Sequence, residues 1–470
     1  MSAAPPPSGR PTSAAPPTTA PPTTAPPTTA PPTTALFTDM YELTMLQASL
    51  ADGTAGRHCV FEVFTRRLPP GRRYGVLAGV GRLLEAITDF RFADAELSWL
   101  ARTGVVDRPT LDHLARYRFT GTVSGYPEGE CFFPGSPLLL VEGTFADAVI
   151  LETLILSILN YDSAVASAAS RMTCAAAGRP CLEMGSRRAH EEAAVAAARA
   201  AVIAGFVGTS NLEAGRRYGL TTIGTAAHSF TLLHDDERTA FEAQVAAHGP
   251  GTTLLVDTYD VARGVATAVE VAGPGLGAVR IDSGDLIAQA QEVREQLDAL
   301  GAHGTKIVVS SDLDEYAIAA LAASPVDSYG VGTSVVTGSG APTCGMVYKL
   351  VAREGADGTL QPVAKAATRK GSVGGRKVAA RRLDATGTAV EEVVVSGRDD
   401  AVAAWAPADG DLRPLHVPLL EHGAVDTRWT GAAGVALAAE RHRASRSELP
   451  RWARRLSAGE AAIPTVTITA

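Results

Sequence analysis

The sequence predicts an α/β protein whose larger part is a (β/α) barrel, and three observations predict it. Short apolar runs recur through the middle of the chain: "CLEMG", "LTTIG", "TTLLVDT", "GAVRIDSGD", "TKIVVSSD" and "DSYGVGTS". Helical segments such as "AHEEAAVAAARAAVIAGF" and "LIAQAQEVREQLDALG" stand between them, which is the alternation of βα units on a parallel sheet. Polar and charged residues gather where the runs end, which is where a barrel carries its function.

Taken in order, the chain starts with a five-residue repeat, "APPTTAPPTTAPPTTAPPTTA", within residues 1–35. With no apolar surface to bury, such a tract favours polyproline II or disorder and reads as a tail outside the fold. Leu36, Met40, Leu43, Leu46 and Leu50 then recur at three- and four-residue spacing, predicting an amphipathic helix. "CVFEVFTRR" reads as a strand, "VLAGVGRLLEAI" as a helix, and "GYPEGECFFPGSPLLLVEG" as strands broken by Gly and Pro. A long apolar helix is predicted from Asp147, before the βα texture begins. It carries Glu152, Asn160 and Asp162 and never reaches eighteen uninterrupted apolar residues, so it reads as a core helix and not a membrane span.

Composition narrows the function classes. The 470 residues are 46% hydrophobic and 20% charged, an ordinary globular balance with enough material for a substantial core. A formal net charge of −8 argues against a nucleic-acid binder, while leaving room for a small basic pocket. Five cysteines, an odd count without a CxxC pair, argue against a disulfide framework or a structural zinc site, and fit a reducing compartment. The N-terminus shows no basic region followed by an apolar one, so a cytoplasmic protein is expected.

At the predicted strand ends stand Arg187 and Arg188, Thr225 and His228, Asp257 and Asp260, Arg280, Asp282 and Asp285, Ser311 and Asp312, and Gly332, Thr333 and Ser334. Glycines at 330, 332, 338 and 340 would let backbone N–H groups approach an anion, as late barrel loops do for phosphate. No Gly-Lys-Ser/Thr follows, so this is not a Walker A loop. Arginines beside carboxylates suit either an anionic substrate with Mg²⁺ or a plain salt-bridge network. Of the ten histidines, His190 and His234 read as surface or packing residues, whereas His228 sits after a strand-like run among small residues that leave its ring room.

The motifs "LFTDMYELTM", "FEVFTRRLPPGRRYGVLAGVGRLLEAI", "ILNYDSAVASAASRM", "GSRRAHEEAAVAAARAA", "GFVGTSNLEAG", "GTAAHSF", "LLVDTYD", "VRIDSGDL" and "YGVGTSVVT" followed by "GMVYKLV" together resemble nicotinate phosphoribosyltransferase, in order from residue 36 onward. The resemblance implies an irregular (β/α) barrel plus a smaller α/β domain built from both chain ends. The expected division is a disordered extension over 1–35, the N-terminal part of the smaller domain over 36–146, the barrel over 147–355, and the C-terminal part with a helical tail over 356–470. It implies ATP-dependent, ligase-type joining of nicotinate to 5-phosphoribosyl 1-pyrophosphate with Mg²⁺, in a homodimer whose N-terminal tyrosine helix reaches the neighbour. His228, in the GT-x-x-H-S motif, would be the residue phosphorylated by ATP. Tyr41, Thr225 and Arg280 would surround nicotinate, with Arg280 pairing its carboxylate. Thr333 and Gly332 would serve the phosphoribosyl pyrophosphate site. Arg187 and Asp282 would line the ribose and phosphate pocket, Asp282 with a catalytic part.

The chain departs from the family pattern at Tyr161, where many relatives have His, and at Glu191, where Gly is common. No cysteine follows Cys344, which excludes the zinc segment of some archaeal relatives. Relatives that take nicotinamide carry an acidic residue where Ser210 stands, and a carboxylate there would repel nicotinate, so Ser210 favours the acid. Quinolinate phosphoribosyltransferase, a shorter chain without the histidine motif, fits poorly. A non-catalytic ligand-binding barrel is the alternative of another class, opposed by the presence of His228, Arg280 and Thr333.

Overall fold

The computed structural model describes residues 35–365, 373–397, 402 and 410–469. Nearly all of the Pro/Thr repeat, residues 1–34, lies outside the described residues.

The βα texture resolves into a six-stranded, all-parallel sheet. Its spatial order is Gly208–Thr209, Cys181–Glu183, Ser328–Val331, Lys306–Ser311, Ala278–Ile281 and Thr253–Leu255. The sheet curls into a half-barrel with helices on its outside, as the sequence predicts for a barrel class. One predicted run behaves differently. "LTTIG" contributes a single bridge, Thr222 to Thr209, and the strand beside it is Gly208–Thr209 from "GFVGTSN". Thr209 exchanges both of its backbone bonds with this run, donating to the Thr221 carbonyl and accepting from Ile223 N–H, so the pairing spans one residue. The run goes on to carry Thr225 towards the pocket.

The chain ends build a second, antiparallel sheet of seven strands. An interior strand, His58–Thr65, is buried along seven of eight positions and pairs with Leu139–Thr144 on one side and Met346–Glu354 on the other. Burial on both faces explains why "CVFEVFT" has no polar alternation apart from Glu62, whose carboxylate is paired with the Lys377 ammonium. A further four-stranded sheet holds Arg376–Leu383, Ala389–Gly397, Leu412–Pro414 and Thr465–Thr469.

Between barrel and antiparallel sheet runs the long apolar helix. It breaks after Phe145–Val149 and resumes as Glu152–Ala175. Its first half packs Leu154, Ile155, Ile158 and Leu159 into the antiparallel core, and its second half packs Val165, Ala166, Ala168, Ala169 and Met172 into the barrel core. Small residues in the second half let the barrel approach closely, so one helix belongs to both cores.

The first helix, Met40–Asp52, buries Leu43 and Leu46 as the spacing predicts, but leaves Leu36 and Met40 outside. Leu36 lies in a separate 3-10 turn, Ala35–Phe37, and an inward position is taken by Glu42, which accepts bonds from Thr153 N–H (3.0 Å) and the Thr38 and Thr153 hydroxyls. Among the described residues no helix is long and apolar enough to cross a membrane.

Candidate active site

Because the six strands run parallel, their carboxyl ends share one rim, and the loops there enclose a cavity of about 410 Å³. Arg187, Thr225, Arg280, Asp282, Gly332 and Thr333, six of the residues predicted from strand ends, line it together.

Arg280 anchors the centre. It lies within strand Ala278–Ile281, and its neighbours define every edge of the guanidinium. Nε donates to Ser310 Oγ (2.7 Å), Nη1 to Thr225 Oγ1 and the Ala226 carbonyl (both 3.2 Å), and Nη2 to Asp282 Oδ1 (2.9 Å). Four of its five N–H donors are thereby engaged, so the guanidinium is fixed in one plane at the cavity wall and offers an anion its charge and the remaining Nη2 N–H. Burial pushes the Asp282 carboxyl upward, but the Ser310 hydroxyl and Arg280 outweigh it and hold the group below the usual carboxylate range.

Asp257, after strand Thr253–Leu255, braces this arrangement. Its Oδ2 accepts Asp282 N–H and the Ser283 hydroxyl, both at 2.8 Å. Its Oδ1 is buried without a hydrogen-bond partner and lies 3.9 Å from His228 Nε2. His228 opens the short helix His228–Leu233 at the cavity's edge; Nδ1 meets Thr258 Oγ1 at 3.1 Å, and Nε2 is 4.0 Å from Asp282 Oδ2. With its side chain 39% exposed, the imidazole can be reached from outside.

The opposite wall is made of loops. The 3-10 turn Ser186–Arg188 brings Arg187 and Arg188, the loop after Gly208–Thr209 brings Ser210, and the strand Ser328–Val331 leads to Gly332 and Thr333. Gly330 packs against the Met184 side chain, whose Sδ would lie 2.8 Å from an added Cβ and would have to shift. Only Gly330 and Gly332 of the four predicted glycines line this cavity. Gly338 and Gly340 lie beyond helix Thr333–Val336 in a left-handed turn tied to Arg72, whose Nη2 donates to the Gly338 carbonyl (2.8 Å).

Tyr41 is not brought to the cavity. It stands 45% exposed on the first helix, beside Glu152, where partial burial and that carboxylate raise its phenol above the ordinary range. Tyr161 also stays off the cavity wall; its hydroxyl donates to the Val336 carbonyl (3.0 Å) and supports the Thr333 helix from behind. Glu191 is exposed, near His190, away from the lining.

Sequence reasoning missed Met184, Ile223 and Ser310 as pocket residues. Met184 and Ile223 form its apolar wall, and a lone Met or Ile beside a strand has no signal that separates it from core. Ser310 could have been found, since a serine inside the apolar run "KIVVSS" must be bonded when buried.

Fold and cavity define a barrel-type α/β protein with a cavity at the carboxyl ends of its parallel strands, lined by Arg187, Arg188 and Arg280 beside Asp282 and Asp312. Comparison with known proteins gives the particular family. Residues 36–160 match the family model of the nicotinate phosphoribosyltransferase (NAPRTase) N-terminal domain. The chain is 56% identical over 444 residues to nicotinate phosphoribosyltransferase pncB1 of Mycobacterium tuberculosis, covering 93% of this chain and 95% of that protein. It is 33% identical to the human nicotinate phosphoribosyltransferase over 82% of this chain and 85% of that one. The crystal structure of human nicotinic acid phosphoribosyltransferase superposes with a TM-score of 0.77 at 28% identity, covering 92% and 97% of the two chains. The chain belongs to the nicotinate phosphoribosyltransferase family.

Proposed function

We propose that this protein joins nicotinate to 5-phosphoribosyl 1-pyrophosphate, forming nicotinate mononucleotide and pyrophosphate in the first step of NAD salvage from nicotinate, and that ATP drives the cycle through a transient phosphohistidine at His228. The observation that carries the substrate assignment is the braced, planar Arg280 facing a cavity whose neighbouring polar residue, Ser210, is uncharged.

Arg280 and Thr225 hold the ring carboxylate, and Met184 and Ile223 offer the ring an apolar wall. The pyridine nitrogen attacks the anomeric carbon, an N–C bond forms, and the C–O bond to pyrophosphate breaks. No proton has to move in this step. Catalysis is therefore orientation of two reactants and stabilisation of the leaving group, for which Arg187, Arg188 and the Gly332–Thr333 backbone are placed. Asp282 stays ionised, keeps Arg280 oriented and faces the positive charge that develops at the ribose.

Among the described residues no group of three or more His, Cys, Asp or Glu could hold a metal ion. Mg²⁺ fits as a companion of the substrate phosphates, with Asp282 and Asp312 on the cavity wall as one or two carboxylate ligands. When bound it neutralises phosphate charge.

In the ATP half-cycle, the His228 imidazole takes the γ-phosphoryl group, forming a P–N bond and releasing ADP; water later cleaves that bond and releases phosphate. The added charge sits beside the cavity and orders the loops around it. Thr258 at Nδ1 fixes the ring, and the orphaned Asp257 oxygen faces it. The exposed apolar set Leu36, Phe37, Met40 and Met45 around Tyr41 supports a homodimer in which that helix completes the neighbour's pocket. Five free thiols among the described residues suit a reducing cytoplasm.

Incubation with γ-labelled ATP and Mg²⁺ tests the coupling. The protein is expected to carry an acid-labile label that His228→Ala lacks, and ATP should raise the yield of nicotinate mononucleotide. Full ATP stimulation in unlabelled His228→Ala would overturn the phosphohistidine.

A further inference from the structure

Behind the anion-facing wall of the cavity lies a junction that the reaction scheme does not use. Glu183 closes strand Cys181–Glu183 and is fully buried. Its Oε1 accepts the Gly185 N–H and its Oε2 accepts the Thr209 hydroxyl, both at 2.5 Å. Its backbone carbonyl accepts the Ser210 N–H at 2.8 Å. Both side-chain partners are loops that carry cavity residues: Gly185 begins the turn bearing Arg187 and Arg188, and Thr209 precedes Ser210.

The tie continues through Asn211. Its N–H donates to Thr209 Oγ1 (2.9 Å), its side-chain amide donates to Ser186 Oγ (3.0 Å), and its Oδ1 caps helix Leu212–Tyr218 by accepting Ala214 N–H (2.8 Å). The third loop is joined by packing. A Cβ on Gly185 would lie 2.2 Å from Val336 Cγ1 and 2.9 Å from the Gly332 carbonyl oxygen, so the Arg187 turn rests directly on the Gly332–Val336 turn.

We infer that Glu183 is a positioning residue for the pyrophosphate-bearing substrate: by binding Gly185 N–H and the Thr209 hydroxyl at once, it fixes the turn that carries Arg187 and Arg188 against the end of strand Gly208–Thr209, at the spacing that the anion requires. The inference rests on the reading that this wall receives the phosphates. A carboxylate suits the place because its two oxygens each meet a donor, and the Gly185 N–H can only donate. Burial raises the carboxyl of Glu183 above its usual range, and the Thr209 hydroxyl and Gly185 N–H offset only part of that rise. The group touches no cavity surface, so it acts through the loops it ties and not on the substrate.

A merely structural carboxylate would change stability and leave the balance between the two substrates alone. The test is therefore a split of kinetic constants in Thr209→Val, which keeps the shape and removes the donor, and in Glu183→Gln. Each is expected to raise the KM for 5-phosphoribosyl 1-pyrophosphate about tenfold, with the KM for nicotinate within about twofold of wild type. Thr209→Ser restores the hydroxyl and should restore the KM. Calorimetric titration of inorganic pyrophosphate into the same proteins should give the same ranking without turnover. If the wild type turns over no base yet the variants bind pyrophosphate more weakly, the reaction assignment fails and the positioning role stands. If folded Thr209→Val shows unchanged constants, or if both KM values rise together, the positioning role is wrong. Should Glu183→Gln fail to fold, Thr209→Val decides alone.

Discussion

Two arginines in this molecule sit in similar company and do opposite work. Arg381 is fully buried in the four-stranded sheet, where Nη1 donates to Glu130 Oε1 (2.7 Å) and Ser445 Oγ (3.0 Å) and Nη2 to Glu392 Oε1 and the Cys131 carbonyl (2.7 and 2.6 Å). Arg280 likewise has a serine, a carboxylate and a carbonyl around it, yet its side chain is 12% exposed, its carboxylate partner 30%, and a cavity opens in front of them. Similar donors and acceptors form a closed knot in one place and border an open cavity in the other. What separates them is the end of a parallel sheet: strand ends leave loops and space, whereas Arg381 is enclosed by strands and by helix Gly431–Glu448. Composition of a polar cluster does not reveal function; its access does.

This contrast can be broken from either side. The largest effect is expected from Arg280→Ala, which removes the cation that meets the ring carboxylate: kcat/KM for nicotinate should fall about 10³-fold with the melting temperature nearly unchanged. An equal loss of stability and activity would mean that Arg280 is part of a structural knot after all. Glu130→Gln should show the reverse. Burial acts to raise the Glu130 carboxyl, but Arg381, Arg413 and Arg441 hold it down at about 2. Because its folded value is depressed, the stability it contributes is present above the unfolded value near 4.5 and is lost as pH falls towards 2. Leaving those arginines short of an anion should cost roughly 3–5 kcal/mol in urea unfolding at neutral pH. The difference from wild type should shrink as acid protonates Glu130, while KM values at 25 °C hold. Smaller is the effect of Ser310→Ala. Without that hydroxyl the Asp282 carboxyl rises, and the acid limb of the kcat/KM profile should move to higher pH with the alkaline limb unmoved. An unmoved acid limb would take Asp282 out of the titrating machinery.

The two regions also differed in how far sequence could reach them. Alternating apolar runs and helices exposed the parallel sheet, and reading the residues after each run found Arg187, Thr225, Arg280, Asp282, Gly332 and Thr333, all of which meet at one cavity. Period and position sufficed there because parallel strands place their ends together. They did not suffice at "LTTIG", where one residue pairs and the rest belongs to a loop, because local β propensity does not say which neighbour is available. Gly338 and Gly340 looked like phosphate glycines, yet their role is a left-handed turn held by Arg72, a residue far away in sequence. The Arg381 knot has no signature in the sequence. Its members lie between residues 130 and 448, and nothing local marks them as partners.

Discrimination between nicotinate and nicotinamide tests the role of Arg280 most directly. Product formation would be measured with 5-phosphoribosyl 1-pyrophosphate, Mg²⁺ and each base in turn, for wild type and Arg280→Ala. The account predicts that wild type favours the acid at least about 100-fold in kcat/KM, and that Arg280→Ala abolishes the preference by losing the acid alone. A preference that survives in Arg280→Ala would show that some other group reads the carboxylate, and would contradict the assignment of this cavity's central residue.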